Sequence, residues 1–305
     1  MTYLAVLIVA YRRPKELLSL VESLSGSHKK IYVYVDYDEN KSSENQEVLQ
    51  IAKSLQITGV ITCWINSENV GVGRAVPSAI NWSLESEDYI LVLEDDCELG
   101  EYALSYFSNS RDLISGKVAI VSGRSAWSEL VNSPVRDRLT LTNLALTNGF
   151  LVSKQSWTRV SRSLAHPKLG RRYLISILSN PRNFLVLSYM YSACLVNTKI
   201  SMKAWDCFIV FEMLVSSYYS VNPNLSTIST RGIDHVASNT KIHDSKSLEY
   251  VVRASRDQPS TKIDMSRNSI ILTNRQISRN IYGVKIQNLF SPIKSWLKIF
   301  KYKFL

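Results

Sequence analysis

Tyr89-Ile-Leu-Val-Leu-Glu-Asp-Asp96 is an apolar run that ends abruptly in three adjacent acids. Its apolar part is continuous rather than alternating, as in a strand covered on both faces. The acids repel one another and resist desolvation, so they belong where the strand leaves the sheet. The same pattern recurs upstream. Leu4 to Val9 is another continuous apolar run, followed by Tyr11-Arg12-Arg13 and by Pro14, which opens a helix carrying Leu17, Leu18, Val21 and Leu24 on one face. Ile31 to Val35 is β-branched and aromatic and stops at Asp36. Next come a helix with Val48, Ile51, Ala52 and Leu55 at helical spacing, a strand from Val60 to Ile65, the turn Asn69-Val-Gly-Val-Gly73 and a helix from Arg74 to Leu84. Val118 to Val121 predicts a fifth strand. Strands alternating with helices predict an α/β fold, a mainly parallel sheet flanked by helices.

From Leu139 the rhythm changes. Leu139 to Val152 adds a strand, Leu164 to Lys203 reads as irregular because Pro167, Gly170 and Pro181 interrupt it, and Asp206 to Ser217 is a helix with a bulky apolar face. A polar loop follows Pro223, and Asp234 to Asn268 holds many charges and few apolar runs. The 305 residues, 45% hydrophobic and 20% charged, are enough for a sizeable core and exclude wholesale disorder. Cys63, Cys97, Cys194 and Cys207 lie scattered in apolar segments, which argues for reduced buried thiols rather than a zinc site. The start of the chain lacks the pattern of a signal peptide, and Phe184 to Val196 is too short to span a bilayer. A net charge of +10 points to anionic partners: nucleic acid, a membrane surface or phosphate-bearing small molecules.

In open parallel sheets ligands bind at the carboxyl ends of the strands. Tyr11-Arg12-Arg13, Asp36 and Glu94-Asp95-Asp96 all fall at such ends, which lines cations and carboxylates along one edge. A divalent cation offsets the cost of crowded acids, and Mg²⁺ or Mn²⁺ binds through one or two carboxylates plus phosphates. A solvated acidic turn is the plainer reading of the same residues.

Four spaced motifs, Val9-Ala-Tyr-Arg-Arg-Pro14, Val35-Asp36, Asn69-Val-Gly-Val-Gly73 and Leu91-Val-Leu-Glu-Asp-Asp96, resemble glycosyltransferases of the GT-A fold, in particular the N-acetylglucosaminyltransferase I group and its bacterial relatives. Lys203-Ala-Trp-Asp206 and the polar stretch from Asn222 to Gly232 extend the likeness. The resemblance implies a nucleotide-sugar donor, a Mn²⁺ or Mg²⁺ ion and three regions. These are a nucleotide-sugar-binding half over 1–125, an acceptor-side and catalytic half over 126–245, and a basic tail over 246–305. It also implies roles. Ala10 and Arg13 contact the nucleotide, Asp36 the uracil ring, Glu94 the donor sugar, Asp95 the ribose and Asp96 the metal. Asp206 is implied as the general base, and the segment Gly232 to Asn239 as a loop closing over the donor. Arg74, after the glycine turn, is within reach of the diphosphate or is an ordinary helix-start residue. His235 is displaced from the position where relatives carry a histidine ligand, and Asn239 stands near that position.

The end of the chain carries a separate signal. After Ser291-Pro292, the residues Ile293, Trp296, Leu297, Phe300 and Phe304 share one helical face, flanked by Lys294, Lys298 and Lys301. A basic amphipathic helix with a Trp reads as an in-plane membrane anchor or as a helix docked on its own core. The expectation is an inverting hexosyltransferase at the inner face of a membrane. It would act on a glycan acceptor, lipid-linked in bacterial surface polysaccharide synthesis, without nucleic acid as a partner. A nucleotidyltransferase would need a Gly-rich signature with a Lys near the first strand, which Val9 to Pro14 does not provide. A nucleic-acid-binding protein would interleave aromatic and basic residues, whereas the positive charge here sits largely towards the carboxyl terminus.

Overall fold

The computed structural model describes residues 4–25, 30–38, 42–57, 61–125, 139–165, 169–179, 184–199, 204–230 and 263–264. The chain runs β1 (Ala5–Ala10), α1 (Pro14–Leu24), β2 (Ile31–Val35), α2 (Ser43–Ile57), β3 (Ile61–Ile65), α3 (Val72–Ser86) and β4 (Tyr89–Glu94). It continues with β5 (Cys97–Leu99), α4 (Ala103–Asn109), β6 (Val118–Ser122), β7 (Leu139–Thr142), β8 (Phe150–Ser153), α5 (Lys154–Val160) and α6 (Arg162–Ala165). The remaining elements are α7 (Leu169–Ser179), α8 (Phe184–Lys199), α9 (Asp206–Ser216), β9 (Tyr219–Asn222), β10 (Ile228–Thr230) and β11 (Ile263–Asp264).

Among the described residues, nine strands form one sheet in the order β11-β7-β9-β6-β8-β4-β1-β2-β3, and β5 pairs with β10 beside it. The block β3-β2-β1-β4 is parallel throughout, and antiparallel neighbours enter with β8 and β7. This is the α/β architecture that the alternating pattern predicts. Every residue of β1 and β2 is buried, which explains their unbroken apolar runs. Odd positions of β1 (Ala5, Leu7, Val9) pack with α3, α5, α8 and α9, whereas the even ones (Val6, Ile8, Ala10) pack with α1, α2 and α4. The period of two along a strand therefore divides the apolar core between the two faces of the sheet.

Register fixes where the polar residues fall. Val9 pairs with Glu94, and Ala10 pairs with Val35. The ladder runs on past the strands: Asp36 N–H donates to Ala10 O and Asp95 N–H to Val9 O, each at 3.0 Å. The carboxyl ends of β2, β1 and β4 thus finish level, and Asp36, Tyr11 and Asp95 stand side by side.

The stretch Leu164 to Lys203 differs from the sequence expectation. It contains the helices α7 and α8 rather than an irregular run. The prolines precede and separate those helices in the sequence instead of breaking them, and Gly170 at the start of α7 lies where a Cβ would press on the Tyr191 hydroxyl at 3.2 Å. Leu139 to Val152 supplies two strands rather than one, and the polar loop after Pro223 includes β10. The predicted closing segment with His235 and Asn239, most of Asp234 to Asn268, and the carboxyl-terminal amphipathic helix lie outside the described residues.

Helix α9 is buried from Cys207 to Leu214, and inside it sits a carboxylate, Glu212, 1% exposed. Arg172 of α7 grips it with both guanidinium nitrogens, Nη2 to Oε1 at 2.6 Å and Nη1 to Oε2 at 2.5 Å. Ser163 and Ser216 donate to it as well, at 2.6 and 2.7 Å. Burial alone would push the Glu212 carboxyl up, but these bonds together bring it below the ordinary range. Because the folded-state pKa is depressed, the pair stabilises the fold fully above the ordinary glutamate pKa. That stability is lost as pH falls through the depressed value. Glu212→Ala is expected to cost about 2 kcal/mol at pH 7, less than a fully buried pair because Arg172 keeps some contact with water. In urea unfolding at graded pH, the gap between wild type and variant should close as acid protonates Glu212.

Candidate functional site

The level strand ends enclose a cavity of about 420 Å³, lined among others by Ala10, Arg12, Arg13, Asp36, Gly71, Glu94 and Asp95. Five of the residues picked from the sequence (Ala10, Arg13, Asp36, Glu94 and Asp95) therefore share one hollow. Arg74, Asp96 and Asp206 are absent from the cavity wall, and Arg74 is exposed on the first turn of α3.

One end of the hollow is an acidic corner. Asp95 accepts from the Tyr11 backbone N–H at 2.9 Å and from Arg13 Nη1 at 3.1 Å. The same Arg13 nitrogen lies 3.3 Å from Asp96 Oδ2. Burial pushes the Asp95 carboxyl up to about 6 despite Arg13 and the Tyr11 amide. Glu94 is pushed up to about 8 by burial, with Asp96, Asp95 and Asp206 adding repulsion and Arg13 opposing them. Asp206, at the start of α9, is therefore close enough to Glu94 for its charge to count, although it lies over a hundred residues away in sequence. Its own pKa is raised by burial, against the hydrogen bond that it accepts from the Cys207 N–H. The start of α9 is held by Trp205, which is 4% exposed and packs against Phe150 and Trp157 with ring centroids 5.9 and 6.3 Å apart.

The other end is built from amides. Asp36 Oδ1 accepts from Asn66 Nδ2 at 3.1 Å and from the Val70 N–H at 3.0 Å, and Oδ2 accepts from the Gly71 N–H at 3.0 Å. Gly71 has φ +75°, ψ 154°, a conformation that side-chain-bearing residues avoid, and this turns its N–H towards Asp36. Asp36 thus anchors the 66–71 turn as well as lining the cavity, and its Oδ2 keeps a lone pair for a further donor.

Three residues not singled out by their sequence pattern stand behind the wall and hold the residues that line it. Asn45, fully buried in α2, donates from Nδ2 to Tyr11 O at 2.6 Å and Asp36 O at 3.0 Å, and accepts from the Asp38 N–H at 2.9 Å. It staples the ends of β1 and β2 together. Asn45 shares a buried helical face with Val48 and Ala52, and a polar side chain on an apolar face was the signal that could have found it. Asp38, 1% exposed, pairs with Arg12 and accepts from the Tyr11 hydroxyl at 3.3 Å. Asn66 accepts from Tyr34 and Trp64 while donating to Asp36. Arg12 Nε is buried here with no hydrogen-bond partner among the described residues.

Among the described residues, no group of three or more His, Cys, Asp and Glu side chains is placed to hold a metal ion. The corner offers the carboxylate of Asp96, its side chain 13% exposed, beside further uncompensated acid charge. That donor set suits a hard cation held through one carboxylate and completed by the oxygens of a phosphate ligand.

No family model matches the chain, and no curated protein matches it. Solved structures that resemble it include the mannosyltransferase PcManGT from Pyrobaculum calidifontis in complex with GDP-Man and Mn²⁺, 11% identical. The match covers 53% of this chain and 46% of that one, with a TM-score of 0.38. S. aureus TarS 1-349 is 14% identical over 70% of this chain and 71% of that one, at a TM-score of 0.39. The glycosyltransferase GlyE in its apo form from Streptococcus pneumoniae TIGR4 is 18% identical over 52% and 35%, at 0.31. The chain spans about half the length of the first of these.

Asn45→Ala would orphan Asp38 N–H and weaken the join between β1 and β2. A loss of about 2 kcal/mol is expected in chemical denaturation. A destabilisation under half that size would mean that Asn45 does not hold the wall.

Proposed function

We propose that the chain is a glycosyltransferase that takes a nucleotide-sugar into the cavity and passes the sugar to a hydroxyl of a glycan acceptor. The observation that carries this reading is the pairing of two chemically different ends in one hollow. An end lined by Asp36, Asn69 and Gly71 suits a nucleobase, and the acid corner lies close enough to Asp206 for its charge to act on Glu94. The volume falls in the usual range for small-ligand sites, about 300–1,000 Å³.

In this reading the base lies at the Asp36 end, where Asp36 Oδ2 accepts an N–H such as that of uracil. That favours a UDP-sugar. Arg12 Nε faces the nucleotide as a donor, and Arg13 holds Asp95 and Asp96 in place. Asp96 would hold Mg²⁺ or Mn²⁺ together with the donor's diphosphate, and a bound cation there supplies charge neutralisation of the leaving group. Glu94, beside Asp206, accepts hydroxyls of the donor sugar. Asp206 removes the proton of the acceptor hydroxyl as it attacks the anomeric carbon, and a carboxylate whose pKa is raised by burial is a better base for that step. Attack from the side opposite the nucleotide inverts the anomeric centre. The acceptor in this account is a lipid-linked glycan, and the enzyme works at the inner face of a membrane.

Two substitutions separate the roles. Asp96→Ala should weaken UDP binding measured calorimetrically in Mn²⁺ by about 10–100-fold; binding within threefold of wild type would remove Asp96 from the site. Asp206→Asn should leave donor affinity unchanged and lower turnover by about 10²–10⁴-fold. Full turnover in that variant would rule out its role as base.

A further inference from the structure

Helix α7 is apolar on two sides. Its inward side mixes apolar and polar groups: Leu169 and Ser176 are buried, Tyr173 and Ile177 pack on the core, Arg172 grips Glu212, and Tyr173 shares a hydrogen bond with Ser188 at 2.8 Å. Its outward side carries three aliphatic side chains: Leu174 is 61% exposed, Ile175 56% and Leu178 83%. These three lie at spacings of one, three and four residues and form one ridge, with exposed Arg171 on the same face a turn earlier. A helix that folds against its own core for stability alone carries polar residues on its outer face. Among the described residues, they make up half of the exposed large apolar side chains, and they are contiguous.

The sequence around this helix is basic. Residues 138–205 contain ten Lys or Arg and no Asp or Glu, and the tail over 246–305 is the other strongly basic stretch, with twelve Lys or Arg against three acids. An exposed apolar ridge with Arg171 on its face, in a stretch without acids of its own, complements a surface that presents anionic headgroups above acyl chains. No described helix is long and apolar enough to cross a membrane, so the fit is to lying on a bilayer.

We infer that the outward ridge of α7 (Leu174, Ile175 and Leu178), set in the acid-free basic stretch, docks the protein on an anionic lipid surface. The ridge inserts among the acyl chains while Arg171 and its basic neighbours meet the headgroups. Helix α7 packs on α8 and α9. Tyr189 of α8 is pushed up in pKa by burial with the Asp206 charge adding to it, so this helical layer reaches the start of α9. Docking therefore brings the proposed base and a lipid-borne acceptor to the same layer, a consequence that rests on the transferase reading. The docking itself does not depend on that reading.

The test is flotation of the full chain with vesicles of phosphatidylglycerol and of phosphatidylcholine, without donor or acceptor. Wild type should bind the anionic vesicles at least about tenfold more tightly than the neutral ones. The combined variant Leu174→Gln, Ile175→Gln, Leu178→Gln retains good helix formers and should lose about tenfold or more of that binding. Leu178→Gln alone, the mildest change, should lose part of it if the triple variant fails to fold. Calorimetric UDP binding is read separately on the same proteins, so a failed docking surface and a failed transferase reading appear in different experiments. A folded triple variant that binds within threefold of wild type overturns the inference. So does wild-type protein that ignores vesicles, including one that instead self-associates through these three side chains.

Discussion

Everything at the rim of this sheet turns on how three consecutive carboxylates are kept together at the end of a buried strand. Arg13 lies against both Asp95 and Asp96, and the Tyr11 amide adds a hydrogen bond to Asp95. That is not enough to neutralise the corner. Burial still pushes Glu94 up to about 8, with Asp96, Asp95 and Asp206 adding repulsion, and Asp95 up to about 6, with Asp96 adding to it. A protein gains no stability from holding acids in this state. In the proposed reading, a cation shared with a diphosphate would supply the positive charge that this corner lacks.

The rest of the site depends on register. Because Val9 pairs with Glu94 and Ala10 with Val35, the residues that follow β1, β2 and β4 emerge at one height. A slip by one residue would turn each strand over and send these side chains to the opposite face. Asn45 and Asp36 lock the height from behind. One joins the backbone carbonyls of Tyr11 and Asp36, and the other gathers the Asn66, Val70 and Gly71 donors. Backbone groups along the wall are satisfied by buried side chains.

Much of this was legible in the sequence, for a physical reason. Buried parallel strands need continuous apolar runs, and β1, β2 and β4 have them, each ending in the polar residue that lines the cavity. The helices α7 and α8 were not legible. Pro167, Gly170 and Pro181 read as breakers, yet breakers at helix ends leave the helices between them intact. Arg74 stayed open between two readings because a glycine turn precedes it; the turn directs backbone amides to Asp36, and the side chain at position 74 is exposed and off the cavity wall. Asp38 and Glu212 escaped because their partners come from distant parts of the chain, whereas Asn45 was signalled by a polar side chain on an otherwise apolar helical face. The exposed ridge of α7 is invisible in a hydrophobic pattern with apolar residues on both sides of the helix. Only the burial of Arg172 against Glu212 shows which side faces in.

The account stands or falls on whether the acid corner and the amide-lined end hold one ligand together. A thermal-shift screen of nucleotide-sugars measures this directly, because a ligand that prefers the folded state raises the unfolding temperature. The prediction is a rise with at least one nucleotide-sugar in Mn²⁺ that disappears when the metal is chelated. If no nucleotide-sugar shifts the unfolding temperature in either condition, the central claim is wrong.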